Sequence, residues 1–295
     1  MFDPSFLFGQ FVSGLSTAMF LFLIASGLSL IFGVLRVLNF AHGSFYMLGA
    51  YLAWQLVQWL GPRTESFWLA VLGAALIVAA LGAVIERALL RHLYGREELY
   101  QLLFTYAVVL VLADVARYTW GTQQLTVPRP PSLDGAVNVL GATVPLYTLF
   151  IMALGPLIAV GFWLLLERTG IGRTIRAAAL DREMLSALGV NTSWLYTGMF
   201  ALGSFFAGLG GALVTPVRSL VPGMDVEIIV EAFIVVVIGG LGSFWGTFLG
   251  ALIFGQVLAF GIVLFPRFSV FAAFVLMAAV LIVRPWGLLG RPLDR

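Results

Sequence analysis

With two histidines, no cysteine and no lysine, this chain holds few side chains that could do chemistry. Zinc sites are built from cysteine, histidine and carboxylate ligands held together, and neither His42 nor His92 has such company, so no metal site is expected. There is no Gly-x-x-x-x-Gly-Lys-Ser/Thr phosphate loop with which to bind ATP. No serine is spaced from a histidine in a way that suggests a nucleophile and its base. The chain is therefore not expected to be an enzyme or to bind a cofactor of its own.

The remaining candidates are ionisable residues lying inside apolar runs. Asp114 and Arg117 are three apart on one helix pattern and can pair near its end. Glu227 and Glu231 are four apart, at the start of another apolar run. A carboxylate inside a membrane is costly, which makes Glu231 a candidate for a path or gate; snorkelling to water is the competing reading. His42 reads either as a proton relay or as a helix-terminus hydrogen bond, and His92 as a solvated loop residue. Two breaks interrupt the apolar helices, Asn39-Phe40-Ala41-His42-Gly43-Ser44-Phe45 and Gly239-Gly240-Leu241-Gly242-Ser243-Phe244-Trp245-Gly246. Both contain Gly-Ser-Phe and lead into Leu-Gly-Ala. Broken helices at corresponding places mark the path in many carriers, so Asn39, His42, Gly43, Ser44, Glu231, Gly239, Gly240, Gly242 and Ser243 are candidate path or hinge residues. Ordinary hairpin turns at the membrane face remain the alternative.

The elements that must position these residues follow from composition. Hydrophobic residues make up 61% of the 295, charged residues 10%, and the mean hydropathy is +1.04. Such a chain is a polytopic α-helical membrane protein, because a segment in lipid must bond its backbone internally and needs about 20 apolar residues to cross. Candidate spans lie near 8–34, 42–60, 67–89, 100–118, 145–166, 194–217, 227–241, 246–265 and 269–284. Eight and nine spans both remain open, depending on whether 227–245 crosses fully. The Pro-rich stretch from Gly121 to Thr143 is expected to be a non-helical excursion. With this layout Arg36, Arg87, Arg91, Arg96, Arg168, Arg173, Arg176, Arg182, Arg284, Arg291 and Arg295 fall on one side, against Arg63, Arg117, Arg129, Arg218 and Arg267 on the other. That excess makes the first side cytoplasmic by the positive-inside rule, C-terminus included. The net charge of +2 gives no reason to expect nucleic acid as a partner.

One connector is too long and too patterned to be a mere link. Glu167 to Asn191 reads ERTGIGRTIRAAALDREMLSALGVN between two spans. Its Ala, Leu, Arg and Glu content favours one helix over 173–188. Ile175, Ala178, Ala179, Leu185 and Leu188 fall on one side of it, Gly189 fits its C-terminal cap, and Asn191, Thr192 and Ser193 offer caps for the next span. A helix lying on lipid is one reading. Its apolar face is small, however, which favours docking into a groove on another protein.

Three blocks carry a resemblance: GLSLIFGVLRVLNFAHGSFYMLGAY (27–51), TGIGRTIRAAALDREMLSALGVN (169–191) and EAFIVVVIGGLGSFWGTFLGALIFG (231–255). Together with the hydrophobic layout they resemble the LivH-type permeases of bacterial ABC importers for branched-chain amino acids, over essentially the whole length. The resemblance implies an all-α ABC importer permease fold, a single transmembrane domain over 1–295, and a place in the bacterial inner membrane. It implies a second permease subunit, two cytoplasmic ATPases that use the ATP, and a periplasmic substrate-binding protein. It makes the loop 167–193 a cytoplasmic coupling loop, with Gly172, Arg173, Arg176, Ala178, Asp181, Leu188 and Gly189 as its contacts. At 176–178 the chain has Arg-Ala-Ala where other importer families carry Glu-Ala-Ala. Other amino acids, amides or urea are alternative cargoes, and an ion-coupled secondary carrier of small polar solutes is the rival mechanism.

Overall fold

The computed structural model describes residues 3–61, 63–264 and 266–290. Nine apolar helices match the nine expected spans to within four residues: α1 (Pro4–Leu35), α2 (Ala41–Leu60), α3 (Thr64–Ala88), α4 (Glu98–Trp120), α5 (Leu146–Arg168), α8 (Thr192–Val214), α9 (Met224–Gly239), α10 (Phe244–Leu264) and α11 (Ser269–Val283). The island supplies two more, α6 (Gly170–Leu180) and α7 (Arg182–Ala187). Among the described residues, six helices are long and apolar enough to cross a membrane: α1, α3, α4, α5, α8 and α10. By this measure the polytopic helical class is established and the expected eight to nine spans are not confirmed. At 16 residues α9 is short for a bilayer, and α2 carries His42, Ser44, Tyr46, Tyr51 and Gln55 among its apolar residues.

Two of the helices form the core. The most apolar stretch of α1 is 83% buried and that of α8 is 72% buried, against 17–33% for the other four. A helix that is apolar all round belongs inside a protein or in lipid. Here α1 and α8 take the inside, while α3, α4 and α5 turn Leu72, Leu76, Leu103, Leu110, Leu157 and Leu164 outward. Glycines let the inner helices touch, as packing in lipid requires. A Cβ on Gly27 would stand 2.5 Å from the Gly203 carbonyl, and one on Gly49 would overlap that of Gly208.

The Pro-rich excursion is non-helical, as expected, and contains a hairpin the sequence reading did not foresee. Strands β1 (Ala136–Val139) and β2 (Ala142–Pro145) pair antiparallel, with Val137 opposite Val144. Leu140 and Gly141 both have positive φ, the two-residue turn that suits the twist of paired strands. Leu125 and Leu220 exchange backbone hydrogen bonds of 3.1 and 2.8 Å, which ties this loop to the α8–α9 connection.

The bundle has two distinct ends. Arg36, Tyr94, Gly95, Leu180 and Arg182 surround a shallow cavity of about 240 Å³ at the island end. Gly9, Thr143, Val217 and Arg218 belong to the opposite, far end. Arg284 precedes a tail in which the Leu289 N–H donates to the Gly239 carbonyl at 3.0 Å. That tail shares the island end, because Gly33 meets Gly242 there. Of the arginines expected on this side, Arg291 and Arg295 lie outside the described residues.

Candidate functional site

The first break lies buried beside the start of α9. Arg36 takes a left-handed conformation (φ 56°) that ends α1, and the chain runs back extended before α2 begins. Asn39, His42, Gly43 and Ser44 are all buried. The His42 Nε2 lies 2.9 Å from the Ile24 carbonyl and donates to it. The expected partner is a helix terminus; the carbonyl that His42 meets instead belongs to the interior of α1. Ser44 Oγ donates to Asp225 Oδ2 at 3.0 Å, and a Cβ on Gly43 would overlap the Asp225 carbonyl. Asp225 is only 2% exposed, and among the described residues its second oxygen has no hydrogen-bond partner, nor do the Asn39 amide and the Tyr51 hydroxyl. Sequence reasoning missed Asp225. Its signal was there, a carboxylate two residues before Glu227 at the head of an apolar run.

Six residues along α9, Glu231 faces a separate cavity of about 340 Å³ at the far end. Ser13, Thr17 and Phe20 of α1, Tyr46 of α2, Thr148 of α5 and Arg218 line it too. Arg218 is the cation whose charge acts on both Glu231 and Tyr46, yet no ion pair or hydrogen bond joins it to either among the described residues. Arg218 was read from sequence only as a loop charge. Glu227, the other glutamate of the pair, is exposed and outside this cavity.

The second break forms the turn between α9 and α10. Gly240 and Gly242 have φ of 106° and 78°, a region only glycine enters freely. Ser243 Oγ accepts from the Gly246 N–H at 3.2 Å and so caps α10. Gly239 packs against the Gly246 backbone too closely for a side chain. Thus the structure does not gather the nine path candidates into one site. Gly43 and Ser44 meet the first turn of α9, His42 bonds to α1, Asn39 is buried in the same break, Glu231 faces the far cavity, and Gly239, Gly240, Gly242 and Ser243 make a turn at the island end. Asp114 and Arg117 pair at 3.3 Å on the exposed side of α4, away from all three.

The island departs from the sequence reading in three ways. It is two helices rather than one, because Asp181 leaves the helical conformation and caps α7, accepting from the Met184 N–H at 2.9 Å. Its apolar face is not free for a partner: Ile175, Ala178 and Leu185 are buried against Leu30, Val34, Phe162, Tyr196, Met199 and Phe206 of α1, α5 and α8. Gly172 and Ala178 are consequently buried, and a Cβ at Gly172 would overlap the Leu166 carbonyl. Arg176 turns back too, pairing with Glu167 at 3.1 Å and donating to the Leu166 carbonyl. Of the seven expected contacts, Arg173, Asp181, Leu188 and Gly189 remain exposed. They share the outer surface with Ile171, Leu180 and Met184. Gly189 does terminate α7: with φ of 83° it lets its own N–H reach Ser186 and the Val190 N–H reach Leu185. Asn191 caps α8, its Oδ1 accepting from the Trp194 N–H at 3.1 Å.

A polar latch absent from the sequence reading joins α3, the α3–α4 connection and α8, and the island rests on it through Arg182. Glu86 at the end of α3 is fully buried, accepting from the Tyr94 hydroxyl at 2.9 Å and from Thr197 Oγ1 at 2.5 Å. Burial first, and the Glu86 charge second, push the Tyr94 phenol above its usual value. Arg182 of α7 sits over the rings of Tyr196 and Tyr94, at 4.9 and 5.9 Å. Arg87 stacks over Trp194 at 4.8 Å alongside. Movement of α7 is thereby tied to α3 and α8.

A multi-pass α-helical membrane protein with a seated helical platform at one end and a polar cavity at the other has the layout of a permease. The chain belongs to the family described as branched-chain amino acid transport system, permease component, which matches residues 10–283. It is 30% identical over 293 residues to the high-affinity branched-chain amino acid transport system permease protein BraD of Pseudomonas aeruginosa, covering 96% of this chain and 95% of that one. The LivH permease of Escherichia coli K12 is 28% identical, with the same coverage of each chain. The probable LivH of Methanocaldococcus jannaschii is 25% identical over 92% of this chain and 88% of its own. No solved structure matches the chain. These relatives are transport permeases, and this chain is a LivH-type membrane permease component.

Proposed function

We propose that this permease imports branched-chain amino acids across the bacterial inner membrane, as part of an ABC importer. Its partners are a second permease subunit, two cytoplasmic ATPases and a periplasmic binding protein. The chain hydrolyses no ATP and binds no cofactor. It forms one permease domain with nine passes, α2, α9 and α11 joining the six longer helices, and its C-terminus is cytoplasmic. The nine apolar helices support that count, and the island-end cluster of Arg36, Arg173, Arg176, Arg182 and Arg284 supports the orientation.

The observation that carries the reading is the island platform. It is clamped to the bundle by Ile175, Ala178 and Leu185, yet it presents Ile171, Leu180, Met184 and Leu188 outward beside Arg173 and Asp181. Leu188 is 75% exposed. Apolar side chains held out on short rigid helices suit a cleft in a soluble ATPase better than water. ATPase closure would move α6 and α7 together and pass the motion through the Glu86–Tyr94–Thr197 latch.

Reconstitution with both ATPases, the second permease and the binding protein tests the proposal. ATP-driven leucine uptake is expected, reduced at least tenfold by Leu188→Asp with the complex still assembled. Uptake that survives without ATP and collapses with an ionophore would overturn the importer reading. Uptake of urea or amides in preference to leucine would overturn the cargo.

A further inference from the structure

The far-end cavity carries an inference that deepens the reading above and rests on it. We propose that this cavity is a transit site for a free amino acid, with Arg218 holding the α-carboxylate, Glu231 the ammonium, and Phe20, Leu21 and Ile228 the aliphatic side chain. Three observations converge on it. Opposite charges line one cavity from different elements, Arg218 on the α8–α9 connection and Glu231 on α9. They are not paired with each other, nor is either paired elsewhere among the described residues. An Arg and a Glu at one cavity would ordinarily close on each other; held apart, they leave a gap with a cation on one side and an anion on the other. A zwitterion satisfies both at once, and neither a simple anion nor a simple cation can.

The remaining lining fits the same class. Ser13, Ser16, Thr17 and Thr148 supply hydroxyls, while Phe20, Leu21 and Ile228 supply an apolar wall. The volume of about 340 Å³ lies at the small end of ligand pockets. A guanidinium is the favoured group for a carboxylate because its planar donors match both oxygens. A neutral amide or urea offers no charge to either wall, so the site would select against the alternative cargoes. Arg218 is exposed at the mouth, where an arriving carboxylate meets it first.

The chain has no native cysteine, which allows a direct test in the assembled complex. Thr148→Cys, or Ser13→Cys independently, is labelled with neutral N-ethylmaleimide, and protection of this chain is followed with leucine, 4-methylpentanoate (no ammonium) or 3-methylbutylamine (no carboxylate). Leucine is expected to slow labelling at least fivefold at millimolar concentration, and the two half-molecules less than twofold. Arg218→Gln and Glu231→Gln should each abolish leucine protection while the thiol still labels in the absence of ligand, which shows that the cavity still forms. Protection by 4-methylpentanoate equal to that by leucine would overturn the zwitterion assignment. So would an absence of leucine protection in a complex that still imports leucine on ATP, an outcome that leaves the proposed function standing. Conversely, protection by zwitterions of every side chain, without ATP-driven leucine uptake, would uphold this site and overturn the cargo.

Discussion

Arg182→Gln should loosen the island from the bundle by a measurable factor. The guanidinium lies over two rings, 4.9 Å from Tyr196 and 5.9 Å from Tyr94. A cation over an aromatic ring contributes about 0.5–1 kcal/mol where water has access, so losing both weakens the seat of α7 by about 1–2 kcal/mol. That corresponds to roughly a five- to thirtyfold rise in the population with α7 unseated. Leu185 reports that population, because it is 7% exposed in the seated state. In a chain without native cysteine, Leu185→Cys gives a single thiol whose maleimide labelling rate tracks unseating. We expect that rate to rise five- to thirtyfold with Arg182→Gln. It should change less than twofold with Arg173→Gln, whose side chain is exposed and makes no hydrogen bond or ion pair among the described residues. Equal rates for the Arg182 variant and its parent would refute the stacking account. A large rise with Arg173→Gln would show that general charge, not ring contact, seats the helix.

Further outcomes follow from the same contacts. Thr197→Val strips one donor from buried Glu86 and should cost about 1.5–3 kcal/mol, seen as a lower thermal midpoint in detergent; its effect and that of Tyr94→Phe should be non-additive, since both act on one carboxylate. Gly189→Ala forces a side chain into a left-handed conformation at a cost of about 1–2 kcal/mol, so the amides of residues 185–190 should exchange faster while those of α8 hold. Arg176→Glu sets a second carboxylate against Glu167 and should depress ATP-driven uptake without loss of membrane insertion; normal uptake would show that the corner between α5 and α6 tolerates strain. The raised phenol of Tyr94 works in one direction only. The latch is intact below the ordinary tyrosine value near pH ~10 and is lost as pH climbs through the higher folded value, so Leu185→Cys labelling should be flat from pH 7 to 9 once corrected for thiol ionisation.

The helices were legible in the sequence because lipid demands long apolar runs, and nine such runs became nine helices with ends within four residues. Gly189 and Asn191 were legible as well, since caps are local. What escaped depended on tertiary neighbours. Residue types alone could not say whether Ile175 and Leu185 would face a partner or their own bundle, because both faces would be apolar. The split at Asp181 was hidden by strong helix formers on either side, although Asp is itself a cap residue. Glu86 carried no signal in the sequence, and only the fold shows it buried under Tyr94 and Thr197, 111 residues away in the second case. Arg218 and Glu231 are 13 apart in sequence, yet the cavity that makes them a pair also needs α1, α2 and α5.

The length of α1 has a mechanical consequence. Its 32 residues make a rod of about 48 Å, and the same rod touches the platform through Leu30 and Val34 and the far cavity through Ser13 and Thr17. Between them Gly27 lies against the backbone of Gly203 with no side chain to cushion the contact. Nearer the cavity α1 is held in the same way, since a Cβ on Gly255 would stand 2.5 Å from the Gly14 carbonyl. The platform and the far cavity therefore share one rigid element, and a shift of α1 at one membrane face is felt at the other.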